Sequence, residues 1–244
     1  MKDVIFKLIG IYYSYADSVP ALVDINLEVE RGEKLVIVGA NGSGKSTLLK
    51  IMDALIFPQR GEFTAFGKVV DEREMRSNPY EFRKRVGLVF QDSDVQLFSP
   101  SVFDEVAFGP LQLSEEPEKV RDLVESILDD FGIGDLRDRP PHRLSGGEKK
   151  KVALASVMAL NPEVLLLDEP TNGLDPRSRK WLVRKLLELN RKGTTVVTAT
   201  HDLEIAKQLA DRMVVMGEGH RIERTGASEE VFADEKLLLE ANLI

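Results

Sequence analysis

The sequence predicts one α/β domain: a doubly wound, largely parallel sheet with a helical segment inserted in its middle. Three observations predict it. Short continuous apolar runs, which suit strands covered on both faces, occur at Leu35–Val38, Val164–Leu167 and Val196–Val197. Helical patterns alternate with these strands at both ends of the chain. From Gln91 to Leu144, by contrast, strand-like runs are nearly absent, and helical patterns are punctuated by Pro100, Pro110, Pro117, Pro140 and Pro141.

Bulk properties fit such a domain. The 244 residues are ample for a real core, and 43% hydrophobic with 30% charged residues is a globular composition. No apolar run approaches the ~20 residues of a membrane-spanning helix, so the chain is expected to be soluble by itself. MKDVIFKLIG lacks a signal-peptide layout and there are no cysteines, which points to the cytoplasm. A net charge of -8 argues against nucleic acid bound through a basic face. Three histidines and no cysteines leave little for a structural zinc site.

Taken in order, Ile5–Ile9 and Ile25–Val29 half-alternate, as strands with one wet face do. After the buried-type strand Leu35–Val38 comes Gly39-Ala40-Asn41-Gly42-Ser43-Gly44-Lys45-Ser46, of the form G-x-x-x-x-G-K-[ST]. Its glycines let successive N–H groups converge on phosphate oxygens, at the positive end of the helix that follows. Lys45 can reach the β and γ phosphates, and the Ser46 hydroxyl can ligate Mg²⁺. By composition the pattern arises in roughly one chain per hundred by chance. Here a strand precedes it and a helix, Lys45–Leu55, follows with apolar Leu48, Leu49, Ile51, Met52 and Leu55, which favours a nucleotide-binding loop.

Val120–Phe131 is the clearest helix of the middle segment. Leu144-Ser145-Gly146-Gly147-Glu148 then opens a helix expected over Lys149–Leu160, a second anion-binding helix start carrying a hydroxyl. By itself it is equally an ordinary cap with a glycine turn. The run Leu165-Leu166-Leu167-Asp168-Glu169-Pro170 ends in two acids at the strand end where open α/β sheets bind ligands. Asp168 is placed to hold Mg²⁺, and Glu169 to polarise an attacking water. Asp175-Pro176 starts a helix over Arg177–Lys192 with Trp181, Leu182, Leu186 and Leu189 on one stripe and Gly193 as its stop. His201 ends another buried-type strand, Thr195–Thr200. The α/β core thus spans about 1–90 and 156–244, and the helical part about 91–155, of a single domain 1–244.

Together these residues resemble the ATP-binding-cassette (ABC) ATPases, over essentially the whole chain. The phosphate loop Gly39–Thr47, Gln91, the signature Leu144–Glu148, the acids Asp168 and Glu169, the loop Asn172-Gly173-Leu174-Asp175 and His201 stand in that family's order. The resemblance implies a P-loop (RecA-like) mixed sheet with an antiparallel β edge and an inserted helical subdomain. It also implies ATP and Mg²⁺ as cofactors. In that family two cassettes pair head to tail around two ATP molecules, each held by one subunit's phosphate loop and the other's signature. Leu144, Ser145, Gly146, Gly147 and Glu148 then serve the partner's nucleotide, and Gly173, Leu174 and Asp175 form the D-loop beside it.

The resemblance further implies Glu169 as catalytic base, His201 and Lys45 on the γ-phosphate, and Gln91 on the metal and water with Ser46 and Asp168. Asn41, Gly42, Ser43, Gly44 and Thr47 complete the ATP contacts. Tyr15 lies at the usual distance for the aromatic that stacks on adenine, with Tyr12 and Tyr13 as neighbouring alternatives.

Gln91–Pro100 and Asp104–Pro110 narrow the resemblance to the ATPases of energy-coupling-factor (ECF) importers of cobalt, nickel or vitamins. Tyr13-Ser14-Tyr15 and Gly146–Lys150 agree with that branch. The expected partners are a second copy or a paralogous ATPase, an integral-membrane subunit and a substrate-binding membrane protein, with no nucleic acid. The expected place is the cytoplasmic face of the cell membrane. Part of the set Leu97, Phe98, Val102 and Phe103 is expected to be exposed for docking. The alternative is a soluble ABC ATPase outside transport, as in iron–sulfur assembly.

Overall fold

The computed structural model describes residues 3–16, 19–113 and 116–244. Its strands are β1 (Val4–Tyr15), β2 (Val19–Glu30), β3 (Lys34–Gly39), β4 (Arg60–Ala65), β5 (Lys68–Val69), β6 (Val86–Val89), β7 (Val164–Asp168), β8 (Thr195–Thr200), β9 (Arg212–Met216) and β10 (Ile222–Ala227). They form two sheets. One is antiparallel, in the order β2-β1-β4-β5; the other has the order β10-β9-β3-β8-β7-β6. In the second sheet β9, β3, β8, β7 and β6 run parallel, and β10 closes the edge antiparallel to β9.

The continuous apolar runs are explained by the side-chain period of two. In β3, Leu35 and Ile37 enter one core, while Val36 and Val38 enter another; Leu166 and Leu165/Leu167 divide the same way in β7. One core lies between the two sheets and takes in the helix Lys45–Met52. The other lies beneath the helices Gly146–Met158, Pro176–Arg191 and Leu203–Leu209. A strand buried on both faces has no polar side to show, so it reads as an unbroken apolar run.

The antiparallel part expected at an edge is therefore found in two places: the β9–β10 pair, and a separate sheet packed over the phosphate-loop helix. Strands β1 and β2 are each 12 residues long, well beyond the apolar stretches that announced them, with β-bulges along their pairing.

From Ser93 to Met158 the described chain between β6 and β7 forms helices and turns. The helix Pro117–Phe131 buries Val120, Val124, Leu128 and Phe131, a single stripe, and stops at Gly132 in the left-handed region (φ 62°). Two helix ends differ from expectation for local reasons. Lys45–Met52 stops short of Leu55 because Asp53 caps it and Ala54 turns to φ 52°. Gly146–Met158 begins three residues early because Ser145 already supplies the cap.

Candidate functional site

Parallel strands carry their C-terminal ends to one side of the sheet. The register pairs Val38 with Thr200, Gly39 with Met216, and Asp168 with Ala199, so the phosphate loop, the two acids and His201 emerge side by side. The loop, Glu169 and His201 border a cleft of about 450 Å³, whose wall also includes Tyr15, Gln91 and Asn172.

The loop between β3 and its helix is held open by backbone that only glycine supplies cheaply. Gly42 and Gly44 sit at φ 85° and 107°. A Cβ on Gly39 would lie 2.6 Å from both Met216 O and Ser43 Oγ. Lys45 is buried, and its Nζ donates to Gly39 O at 2.8 Å and Ala40 O at 3.0 Å. Burial pushes this ammonium below its ordinary range, while Glu169 and Asp168 pull it back up. A cation held on two carbonyls at the start of a helix is a receptor for a polyanion.

Ser46 Oγ donates to Asp168 Oδ1 at 2.9 Å. Cis ligands of an octahedral ion with ~2.1 Å bonds are spaced ~3.0 Å apart, so this hydroxyl and carboxylate fit a small hard cation such as Mg²⁺. Burial raises the Asp168 carboxyl, and the Ser46 bond opposes it.

Glu169 follows with φ 41°, a strained value for a non-glycine residue, and donates its N–H to Ala199 O at 2.9 Å. Thr200 Oγ1 donates to Glu169 Oε2 at 3.0 Å, and His201 Nδ1 lies 2.9 Å from Oε1. Lys45 Nζ is 3.7 Å from the same Oε1. The side chain is buried but borders the cleft, the placement a proton acceptor for a bound water requires.

The tyrosines separate. Tyr15 is exposed on the cleft wall, its hydroxyl 3.3 Å from Thr47 Oγ1. Tyr13 packs against the inter-sheet core and meets Tyr15 edge to face at 5.1 Å. Asn41, Gly42, Gly44, Ser46 and Thr47 line the same cleft; Ser43 is buried just beneath.

The signature lies elsewhere. Ser145, Gly147 and Glu148 border a separate depression of about 680 Å³ together with Asp175, Ser178 and Trp181. Ser145 caps the helix, and Glu148 Oε2 accepts from Ser145 N at 2.8 Å and from its hydroxyl at 2.7 Å, a closed capping box. These bonds hold the Glu148 carboxyl below the usual range. Leu144 is buried, anchoring the turn. A Cβ on Gly147 would stand 3.0 Å from Ser178 Cβ and 3.5 Å from Asp175 Oδ2, so the signature packs on the start of the helix Pro176–Arg191. Gly173 (φ 70°) and Leu174 make the turn leading there, and Asp175 caps that helix through Arg177 N and Ser178 N. The chain thus brings the phosphate loop, acids, Gln91, His201 and Tyr15 together and keeps the signature apart.

Of the four residues considered for docking, Leu97 and Val102 are buried and Phe103 is half-buried in the core, under Arg137. Phe98 alone is exposed, at 68%, and meets Phe108 edge to face at 5.0 Å. Both border a groove of about 200 Å³ with Arg83, Gln96 and Leu160. Glu105, buried beneath, accepts from Phe98 N and Ser99 N and fixes that turn. Val95 and Leu111 are further exposed apolar residues in the same segment.

Two contributors escape sequence reasoning. Thr200 orients Glu169 and His220 borders the cleft, and neither carries a local pattern that would single it out.

This fold and cleft define a nucleotide-binding P-loop protein of the cassette type. A family model described as ABC transporter matches residues 22–172, and the chain belongs to that family. A putative ABC transporter ATP-binding protein of Caldanaerobacter subterraneus subsp. tengcongensis is 62% identical over 242 residues, covering 99% of this chain and all of the relative. An energy-coupling factor transporter ATP-binding protein of Methanothermobacter thermautotrophicus is 44% identical, covering 97% of this chain and 75% of the relative. The structure of cbiO1 from Clostridium perfringens, part of the ABC transporter complex cbiONQ, superposes with a TM-score of 0.85 at 39% identity, covering 99% of this chain and 96% of that one. Family membership carries ATP binding and hydrolysis with it.

Proposed function

We propose that residues 1–244 form one ATPase domain that powers an ECF-type importer of a cobalt or nickel ion or a vitamin. It works as a head-to-tail pair with a second copy or a paralogue, at the cytoplasmic face of a membrane. One observation carries the reading: a complete phosphate cradle and a finished signature cap sit in two separate depressions of one chain. A nucleotide in the cradle reaches a signature only if another subunit supplies it. The ECF branch is supported by the named relatives and by exposed Phe98 and Phe108, which offer an apolar groove to a membrane subunit's helix. Among the described residues no helix is long and apolar enough to cross a membrane, so translocation itself falls to such a subunit.

In this reading Gly42, Gly44, Lys45, Ser46 and Thr47 hold the triphosphate, and Tyr15 stacks on the base. Ser46, Asp168 and Gln91 hold Mg²⁺. When bound, the ion neutralises charge on the phosphates. Glu169 accepts the proton of the attacking water. Thr200 and His201 hold its carboxylate in place, and His201 keeps the water and γ-phosphate in register.

Glu169→Gln tests this directly. The variant should lose on the order of 100- to 10,000-fold in hydrolysis. It should still bind ATP and accumulate as a dimer on a sizing column. Turnover at the parent rate would remove Glu169 from the chemistry; a variant that binds ATP yet stays monomeric would remove the paired arrangement.

A further inference from the structure

The turn between β9 and β10 forms part of the cleft wall, and His220 stands on it beside Val19, Pro20 and Ala21. The turn is fixed from three sides: Val23 N donates to His220 O at 2.9 Å, His220 N to Gly217 O at 3.1 Å, and Gly217 N to Arg221 O at 3.1 Å. The imidazole is only partly covered, but its Nδ1 is wholly buried and has no partner in the protein. With Nδ1 closed off, Nε2 is the ring nitrogen left for a partner outside the protein.

Lys45 and the glycine loop already supply cationic and backbone donors for phosphate. The wall around His220 is of another kind: Tyr15, Val19, Pro20 and Ala21 offer aromatic and apolar surface, which suits a nucleoside and not a phosphate. We propose that His220 contacts the nucleoside of the bound nucleotide, hydrogen-bonding through Nε2 to the base or ribose. This rests on the cleft being the ATP site. It makes His220, with Tyr15, a determinant of which nucleotide is accepted.

The experiment compares Mg²⁺-ATP with Mg²⁺-tripolyphosphate, which has the phosphates and no nucleoside, by titration calorimetry on the full chain. His220 sits at φ 57°, so His220→Gly removes the ring while easing the backbone, and the fold is expected to survive. ATP should bind roughly five- to tenfold more weakly to that variant, with tripolyphosphate unchanged. His220→Asn, which tolerates the same backbone and keeps a short donor, should recover part of the loss. Unchanged ATP affinity in His220→Gly would overturn the proposal, as would equal weakening of both ligands, which would signal a distorted loop. A parent chain that binds neither ligand would instead overturn the reading of the cleft, and this proposal with it.

Discussion

The cleft and the signature surface are both built on the N-terminal ends of helices, yet they are finished in opposite ways. At the cleft, Lys45, Asp168 and Glu169 are buried, and their bonds tie β3, β7, β8 and the phosphate loop together. On the signature surface Ser145 and Gly146 are exposed, and the cap is closed within four residues by Glu148. Fixed donors in a low-dielectric pocket attract a polyanion strongly, but they depend on the whole sheet to hold them. A self-satisfied cap costs nothing to leave in water, so a chain can be stable alone while that half of its site stands open. Damage to the phosphate loop should therefore appear as lost nucleotide affinity, and damage to the signature as lost assembly.

Beyond Glu169→Gln, the largest effect is expected at Lys45. Lys45→Ala removes the charged donor and should weaken ATP binding by on the order of 10- to 100-fold in the isolated chain, read by calorimetry. An unchanged affinity would mean the buried ammonium serves only to close the loop on Gly39 and Ala40. Ser145→Ala sharpens the contrast from the other side. It deletes the cap hydroxyl and should lower stability by about 1 kcal/mol. ATP affinity at dilution should stay at the parent value, while hydrolysis falls and needs more protein to recover. If Ser145→Ala weakened ATP binding by the single chain, the two depressions would not be independent.

The two regions also differed in how legible they were. Each motif was visible alone because its chemistry is local: glycines and a lysine at a helix start, a serine and glutamate three residues apart. That they occupy different depressions was not visible, because it depends on how Gly147 packs against Ser178 across 31 positions. Likewise, Glu169 is positioned by Thr200 and His201 only because β7 and β8 pair in parallel, setting Asp168 against Ala199. Strands β3, β7 and β8 could be read from their unbroken apolar runs. β4 could not: Arg-Gly-Glu-Phe-Thr-Ala places only Phe63 and Ala65 in the core, too few for a pattern. Within the docking set, Leu97 and Val102 could not be told from exposed Phe98 by sequence, for a related reason. Both are apolar residues in a loop-rich stretch, where only packing decides which side chains turn inward.

An effect on stability alone, remote from nucleotide and assembly, concerns the far end of the phosphate-loop helix, where Asp53 is buried as its cap. Arg83 Nη1 donates to Asp53 O at 2.7 Å and to Oδ2 at 3.0 Å, and its Nη2 donates to Ala54 O. Burial still dominates and pushes the Asp53 carboxyl up to about 7, against the pull of Arg83. Between an ordinary value of 3.8 and about 7, the folded chain keeps a proton on Asp53 that the unfolded chain has released. Its stabilising contribution is thus complete below the lower value, declines as pH rises through the window, and levels off above it. Asp53→Asn cannot titrate, so the parent should lose on the order of 2 kcal/mol relative to it between pH 5 and pH 8, measured by urea unfolding. Parallel pH profiles would mean that Arg83 keeps Asp53 ionised throughout. The site's supporting helix would then end on a buried ion pair, as its mouth does at Lys45 and Glu169.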